Sequence, residues 1–252
     1  MTKLGRALQE NRSAKAAEIA VVFLAAFVVI AVGIKMVGTD ILARQAVLWF
    51  ANIIMLVIVW TGLRLRGQTW AHFGLSFRFG GWRPLIRTVL LSIPVLIVAL
   101  VAFMAGAVLM VIAAQVFTNG AAPAIQKADM SSYEYLQGNL PMLLMSLAGV
   151  YIVSSFGEEV LYRGFLINRL AEIGDSGRAA WTVAVLASAV VFGLIHFSWG
   201  ITGVVQTTLM GLALAGVYLL TKRNLWILIL AHAYLDTLLL VQIYLASPGG
   251  GG

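Results

Sequence analysis

A small set of ionisable side chains lies inside stretches that otherwise read as lipid-soluble. Glu158, Glu159 and Arg163 occur in SSFGEEVLYRGFL, His196 in VVFGLIHFSWG, and His232 and Asp236 in ILILAHAYLDTLLL. An ionisable group in a membrane span costs at least ~2.5–3.5 kcal/mol on insertion scales, so each is a functional candidate by default. On a helix Glu159 and Arg163 are i and i+4, share a face and are expected to pair. That pair neutralises one carboxylate and braces the segment. Glu158 projects about 100° away, in line with Tyr162, which cannot neutralise it. A desolvated carboxylate without a counter-charge suits a general base or acid. His196 follows Phe192 by one turn, and His232 precedes Asp236 by one turn, stacking imidazole and carboxylate on one stripe. Such a pair can ligate a metal, place a water or stabilise an oxyanion. Singly, each group also has a structural reading: a brace for Glu159–Arg163, an interhelical clamp for His232–Asp236, a hydrogen-bonded structural group for His72 in an aromatic loop. Together, Glu158, His196, His232 and Asp236 read as a site.

The elements that must position them are membrane helices. The chain has 252 residues, 61% hydrophobic and 11% charged, with a mean hydropathy of +0.96. A soluble domain carries roughly 25% charged residues, so the composition predicts an all-α, polytopic transmembrane bundle. Apolar segments run approximately over 18–38, 45–64, 86–117, 140–163, 179–197, 200–221 and 225–246, which gives seven spans. The third is too long for one perpendicular crossing, and a break near Gly106 would give eight. Of the 17 lysines and arginines, all but Lys35, Arg44 and Lys127 fall in the N-terminal arm and in alternate loops. The positive-inside bias then places the N-terminus in the cytoplasm, and a plasma (inner) membrane is the expected location. The same placement explains the net charge of +7 without nucleic acid, and the absence of cysteine excludes disulfides and thiolate chemistry. No A-x-A-like exit follows the first apolar run, so no cleavable signal is expected. The chain divides into an arm (1–17), two N-terminal helices (18–64), an interfacial aromatic–basic loop (65–85), a core (86–246) containing an external loop over 118–139, and a flexible tail (247–252).

GEEVLYRGFL matches an EExxxR motif, Phe192 to His196 an FxxxH motif, and His232 to Asp236 an HxxxN/D motif. In this order and spacing the chain resembles the CPBP family of intramembrane proteases, which includes the type II CAAX prenyl endopeptidases and bacterial abortive-infection-type proteins. FGLSFR, upstream, resembles a short element that often precedes that core. The resemblance covers roughly residues 70–245. It implies an intramembrane endopeptidase in which Glu158 and His196 activate a water, His232 and Asp236 polarise the scissile carbonyl, and Glu159, Arg163 and Phe192 support them. Its substrate would be a membrane protein or a lipidated peptide. Asp236 departs from the asparagine of the prenyl-protease branch, because an ionised carboxylate repels an oxyanion that an amide would stabilise. Asp236 must then be protonated, orient His232 or ligate a metal. Glu158, His196, His232 and Asp236 could together hold Zn²⁺, although no HExxH pair is present; metal-independent activation of water by Glu158 is the other arrangement. Two rival functions fit the same residues: a proton-coupled transporter, against which the unpolar first three spans count, and a catalytically inactive scaffold or immunity protein. Oligomeric state is not encoded in any feature of the sequence. Simple alternation puts Glu158 near the cytoplasmic end of the fourth span and His196 near the outer end of the fifth. A deeper-lying glutamate motif, or broken spans over 179–221, would bring them together.

Overall fold

In the computed structural model, residues 2–76, 80–117 and 131–246 are described, and every regular element among them is helical. The tail over 247–252 and most of the loop expected at 118–139 lie outside these residues. A short amphipathic helix, α1 (Lys3–Glu10), precedes α2 (Arg12–Val37) and α3 (Ile41–Leu65). A 3₁₀ turn at Trp70–Phe73 leads to α4 (Trp82–Phe117), and a second 3₁₀ segment, Ser131–Leu136, to α5 (Leu140–Val150). The chain then winds as a π-helix over Tyr151–Leu166 and returns to α-geometry in α6 (Ile167–Ile173). Helices α7 (Arg178–Leu194), α8 (Gly200–Leu220) and α9 (Leu225–Leu245) complete the bundle. Among the described residues, six helices are long and apolar enough to cross a membrane, and α7 is a shorter apolar helix of 17 residues. The protein is an integral membrane protein of all-α architecture.

Two expectations about spans are revised. Helix α4 does not break at Gly106 but runs unbroken for 36 residues, about 54 Å, which exceeds a bilayer core of ~30 Å. Gly106 instead lets α4 pack tightly on α8: a Cβ there would lie 2.6 Å from the Cα of Gln206. The fourth span also does not end at 163. Leu140–Ile173 is one continuous helical run of 34 residues, so Arg163 and Arg169 lie within it rather than in a following loop.

That extension removes the depth conflict. Glu158 sits roughly 15 residues before the end of α6, and His196 roughly 18 residues after the start of α7, the two helices being joined by the tight turn over 174–177. At ~1.5 Å per residue they stand about 22 and about 27 Å from that turn, within one helical turn of each other. Helix α7, about 26 Å long, is too short for a full crossing. The His196 turn is therefore held at the level of the glutamates.

At the basic end, an ion network ties the N-terminal helices to this core. Glu18 of α2 pairs with Arg66 at the end of α3 and, at 3.2 Å, with Arg169 of α6. Arg169 also reaches Glu172 at 2.7 Å, and His72 bonds the same Glu172 oxygen at 3.1 Å. Arg66 and Arg169 are almost fully buried. The 3₁₀ turn docks beside them. Tyr218 donates to the carbonyl of Phe73, and Gly74, at φ +80°, lies so close to the Arg223 carbonyl that a Cβ would be 1.5 Å from it. Removing one partner of a buried ion pair leaves an uncompensated charge and costs roughly 3–5 kcal/mol. Glu18→Gln is expected to destabilise the folded bundle by an amount of that order, read as a lowered Tm of the purified protein in detergent.

Candidate active site

The site is built where the π-helix meets α9. The i→i+5 bonding of a π-helix widens each turn and recurs at functional positions in proteins; here the Ile167 amide bonds the carbonyl of Tyr162 in that pattern. The π-helix and α9 run in opposite directions, and two of the polar rungs between them lie four residues apart on each helix. In the first, His232 Nδ1 lies 2.8 Å from Glu159 Oε1. In the second, Ser155 Oγ donates to Asp236 Oδ2 at 2.8 Å. Arg163 Nη1 stands 2.9 Å from the same Glu159 oxygen, forming the i, i+4 pair expected from the spacing. Ser155 and Glu159 are fully buried and Arg163 and His232 nearly so.

Phe192 is the floor of this cluster. The Arg163 guanidinium lies over its ring, 4.2 Å from the centroid. The rings of Tyr162, His196 and His232 stand 5.2, 5.0 and 6.3 Å from it. A desolvated cation over an aromatic face is worth about 2 kcal/mol, and this contact helps hold Arg163 where neither Nη atom has a hydrogen-bonding acceptor. Phe192 itself fits because Gly211 faces it from α8, where a Cβ would be 3.0 Å from the ring.

His196 does not lie on the helix. It follows the last residues of α7 in the turn to α8, with its ring between Phe192 and, at 4.9 Å, Trp199. Its Nδ1 lies 2.8 Å from the Phe192 carbonyl oxygen, which can only accept. Nδ1 therefore carries the proton and Nε2 presents a lone pair in the neutral ring. His232 is set differently. Its Nδ1 faces Glu159 and its Nε2 faces Asp236 Oδ1 at 3.7 Å, too far for a hydrogen bond. Between two carboxylates the ring is disposed as a donor at both nitrogens, and the Nε2 donor is not spent. Glu158 has no ion pair, and its Oε2 is buried without a hydrogen-bond partner.

Of the residues singled out from sequence, Glu159, Arg163, Phe192, His232 and Asp236 thus form one contact cluster; Glu158 is next to it on the π-helix, and His196 joins it through Phe192. Among the described residues, no three His, Asp or Glu side chains are placed to hold one metal ion. His232 Nδ1 bonds Glu159 and His196 Nδ1 a backbone carbonyl, which leaves Nε2 of both rings open. As placed, Glu158, His196, His232 and Asp236 do not converge as a zinc ligand set.

Several neighbours carried no sequence signal. Ser155 looks like an ordinary small residue in a span. Asn52 of α3 rests against Gly157, where a Cβ would be 2.2 Å from its Oδ1, and that buried oxygen is unpartnered. The polar neighbour beside the glutamates thus comes from a helix the motifs do not include, and the small residue before Glu158 in GEE is the sign that something packs there. Tyr133, in the 3₁₀ segment at the far end, is also close enough to feel the site. Burial pushes its phenol up to about 12, and the charges of Tyr135, Glu158 and Asp236 add to the shift.

Compared with known proteins, residues 140–238 match the family described as type II CAAX prenyl endopeptidase Rce1-like. The resemblance carried by the three motifs is borne out over the segment that contains all of them. Neither the curated proteins nor the solved structures give a match.

Arg163→Met should destabilise the protein by roughly 3–5 kcal/mol, because Glu159 loses its only buried arginine. Arg163→Lys should recover little of this, since an ammonium cannot lie flat over Phe192. Thermal unfolding of both variants checks the expectation.

Proposed function

From a segment that matches the type II CAAX prenyl endopeptidases, we propose that this protein is an intramembrane endopeptidase that hydrolyses a peptide bond of a membrane protein or lipidated peptide. The observation that carries the proposal is the division of labour among the buried polar groups. Glu159 is occupied by Arg163 and His232, whereas Glu158, on the adjacent position, is uncompensated.

A water between Glu158 and His196 would donate one hydrogen to the carboxylate and the other to the His196 Nε2 lone pair. Its oxygen is thereby made nucleophilic and aimed by two acceptors. Attack on the scissile carbonyl moves negative charge onto the carbonyl oxygen, where the unspent Nε2–H of His232 would receive it. Glu158 takes the proton released by the water and passes it to the leaving amine, so the bond breaks without a free amide anion. Asp236 then serves to orient His232. One of its oxygens accepts from Ser155 and the other faces His232 Nε2, so it is placed against the imidazole. The apolar walls around these groups keep the local dielectric low and strengthen each of these charge interactions.

The basic residues of α1, of the α3 end and of the α6–α7 and α8–α9 turns would face the cytoplasm in a plasma (inner) membrane, by the positive-inside bias. Substrate chemistry then follows from access: a chain already in the bilayer, or one carried there by a lipid, reaches a site this deep without crossing water.

Hydrolysis of a quenched membrane-anchored peptide by the purified protein tests the reading. Glu158→Gln and His196→Ala are each expected to lower kcat by at least about 10²-fold, the span of general acid–base catalysis, with the fold kept as judged by Tm. Full turnover in both variants would overturn the mechanism; full biological function in both would favour a scaffold that does not need the chemistry.

A further inference from the structure

In the second rung between the π-helix and α9, Ser155 is the member to which the proposed reaction gives no role of its own. Ser155 is fully buried and its hydroxyl donates to Asp236 Oδ2 at 2.8 Å, while Ser154, the residue before it, also reaches the same carboxylate. Asp236 has its other oxygen turned to His232 Nε2 at 3.7 Å. Beyond Asp236, Thr237 bonds Tyr151 at 2.8 Å and its own helix at the Ala233 carbonyl, so α9 is pinned to the start of the π-helix at the same level. The groups around His232 are Glu159 and Glu158 from the π-helix, Phe192 from α7 and Asp236 from its own helix.

We infer that Ser155 is a positioning residue: its hydroxyl fixes the Asp236 carboxylate so that the carboxylate can hold the His232 ring with Nε2 toward the substrate carbonyl. Asp236 is four residues from His232 on an α-helix and has two torsions, so a carboxylate that loses its 2.8 Å bond to Ser155 and keeps only Ser154 gains the freedom to turn from 3.7 Å toward hydrogen-bonding distance of Nε2. That would spend the donor on Asp236. Ser155 anchors the far oxygen and keeps the near one beyond bonding reach, which steers the imidazole without consuming its proton. An asparagine at 236 would have both a donor and an acceptor to divide between these neighbours, and so would place a different demand on residue 155. A small hydroxyl at this position is therefore matched to aspartate at 236, and the two act as one unit.

This inference rests on the proposed hydrolysis, and the test separates the two. Wild type, Ser155→Ala, Ser155→Thr, Asp236→Asn and the Ser155→Ala/Asp236→Asn double variant are purified as full-length chains in detergent or nanodiscs. Each is measured for steady-state hydrolysis of the quenched membrane-anchored peptide and for Tm. Ser155→Ala is expected to lower kcat about ten- to a hundred-fold, as for a lost hydrogen bond to a charged group, with KM nearly unchanged because the substrate is not touched. Ser155→Thr, which keeps the hydroxyl, is expected to retain most of the wild-type kcat. In the Asp236→Asn background, Ser155→Ala should cost little further, giving strong non-additivity. An unchanged kcat in Ser155→Ala, an equal loss in Ser155→Thr and Ser155→Ala, or additive losses in the double variant would each overturn the inference. If the wild type hydrolyses nothing, the proposed function fails and the positioning role falls with it. The Tm cycle then still reports whether Ser155 and Asp236 are coupled, and additivity there would deny the bond itself.

Discussion

Glu159 is the group on which the core arrangement depends. One oxygen is ion-paired with a guanidinium four residues along its own helix and bonded by an imidazole on a neighbouring helix. In an apolar interior an isolated carboxylate is far too costly to stay ionised, and a single ion pair barely offsets the desolvation of its two members. Sharing the charge among two donors, and laying the arginine on the Phe192 face, supplies what one pair could not. The consequence is architectural. Arg163 orders the π-helix, His232 fixes α9 against it, and Phe192 brings in α7, so three helices are registered by one buried carboxylate.

Registration by polar contacts matters more here than in water. Apolar side chains gain little by meeting one another when the alternative is lipid, so membrane helices are specified by small residues, close backbone approach and interhelical hydrogen bonds. The structure uses all three. Gly106 brings α4 onto α8, Gly157 brings α3 onto the π-helix, and the Ser155–Asp236 and Glu159–His232 rungs fix the sliding position of α9. A shift of one turn along α9 would break both rungs together, leaving Glu159 with Arg163 alone and taking His232 and Asp236 from their partners on the π-helix. The ladder is therefore a register lock as well as a site.

The sequence made part of this legible for a definite physical reason. Charge in an apolar helix is rare, so the ionisable members of the site stand out against their background, and the four-residue spacing of Glu159 and Arg163 fixes a local geometry that the fold preserves. What local spacing cannot report is contact between distant helices. Pairing His232 with Asp236 on one stripe was reasonable, yet its closer contact is Glu159, because the face that carries both residues is turned toward the π-helix. Span ends were blurred for a related reason. Arg163 and Arg169 look like loop residues when charge is counted along the chain, but each is neutralised inside the bundle, so the helix continues through them to Ile173. Neutral polar residues gave the least warning: a buried serine or asparagine costs little enough in a span that Ser155 and Asn52 pass as background until their partners are seen.

The N-terminal helices illustrate how far a motif-based view of the site can be extended. They lie outside the matched segment, yet Glu18 and Arg66 close the ion network that holds Arg169 and Glu172 of α6, and Asn52 abuts the glycine preceding Glu158. The helix bearing the glutamates is thus gripped at its middle by α9 and α3, and at its basic end by α2 and α3. A helix wound with i→i+5 bonds has weaker internal cohesion than an α-helix of the same length, since its wider turn leaves poorer contact along the axis. External grips on both stretches supply the order that the winding itself does not. The N-terminal pair therefore belongs to the physical unit that holds the two glutamates at different tasks, one neutralised and one left over.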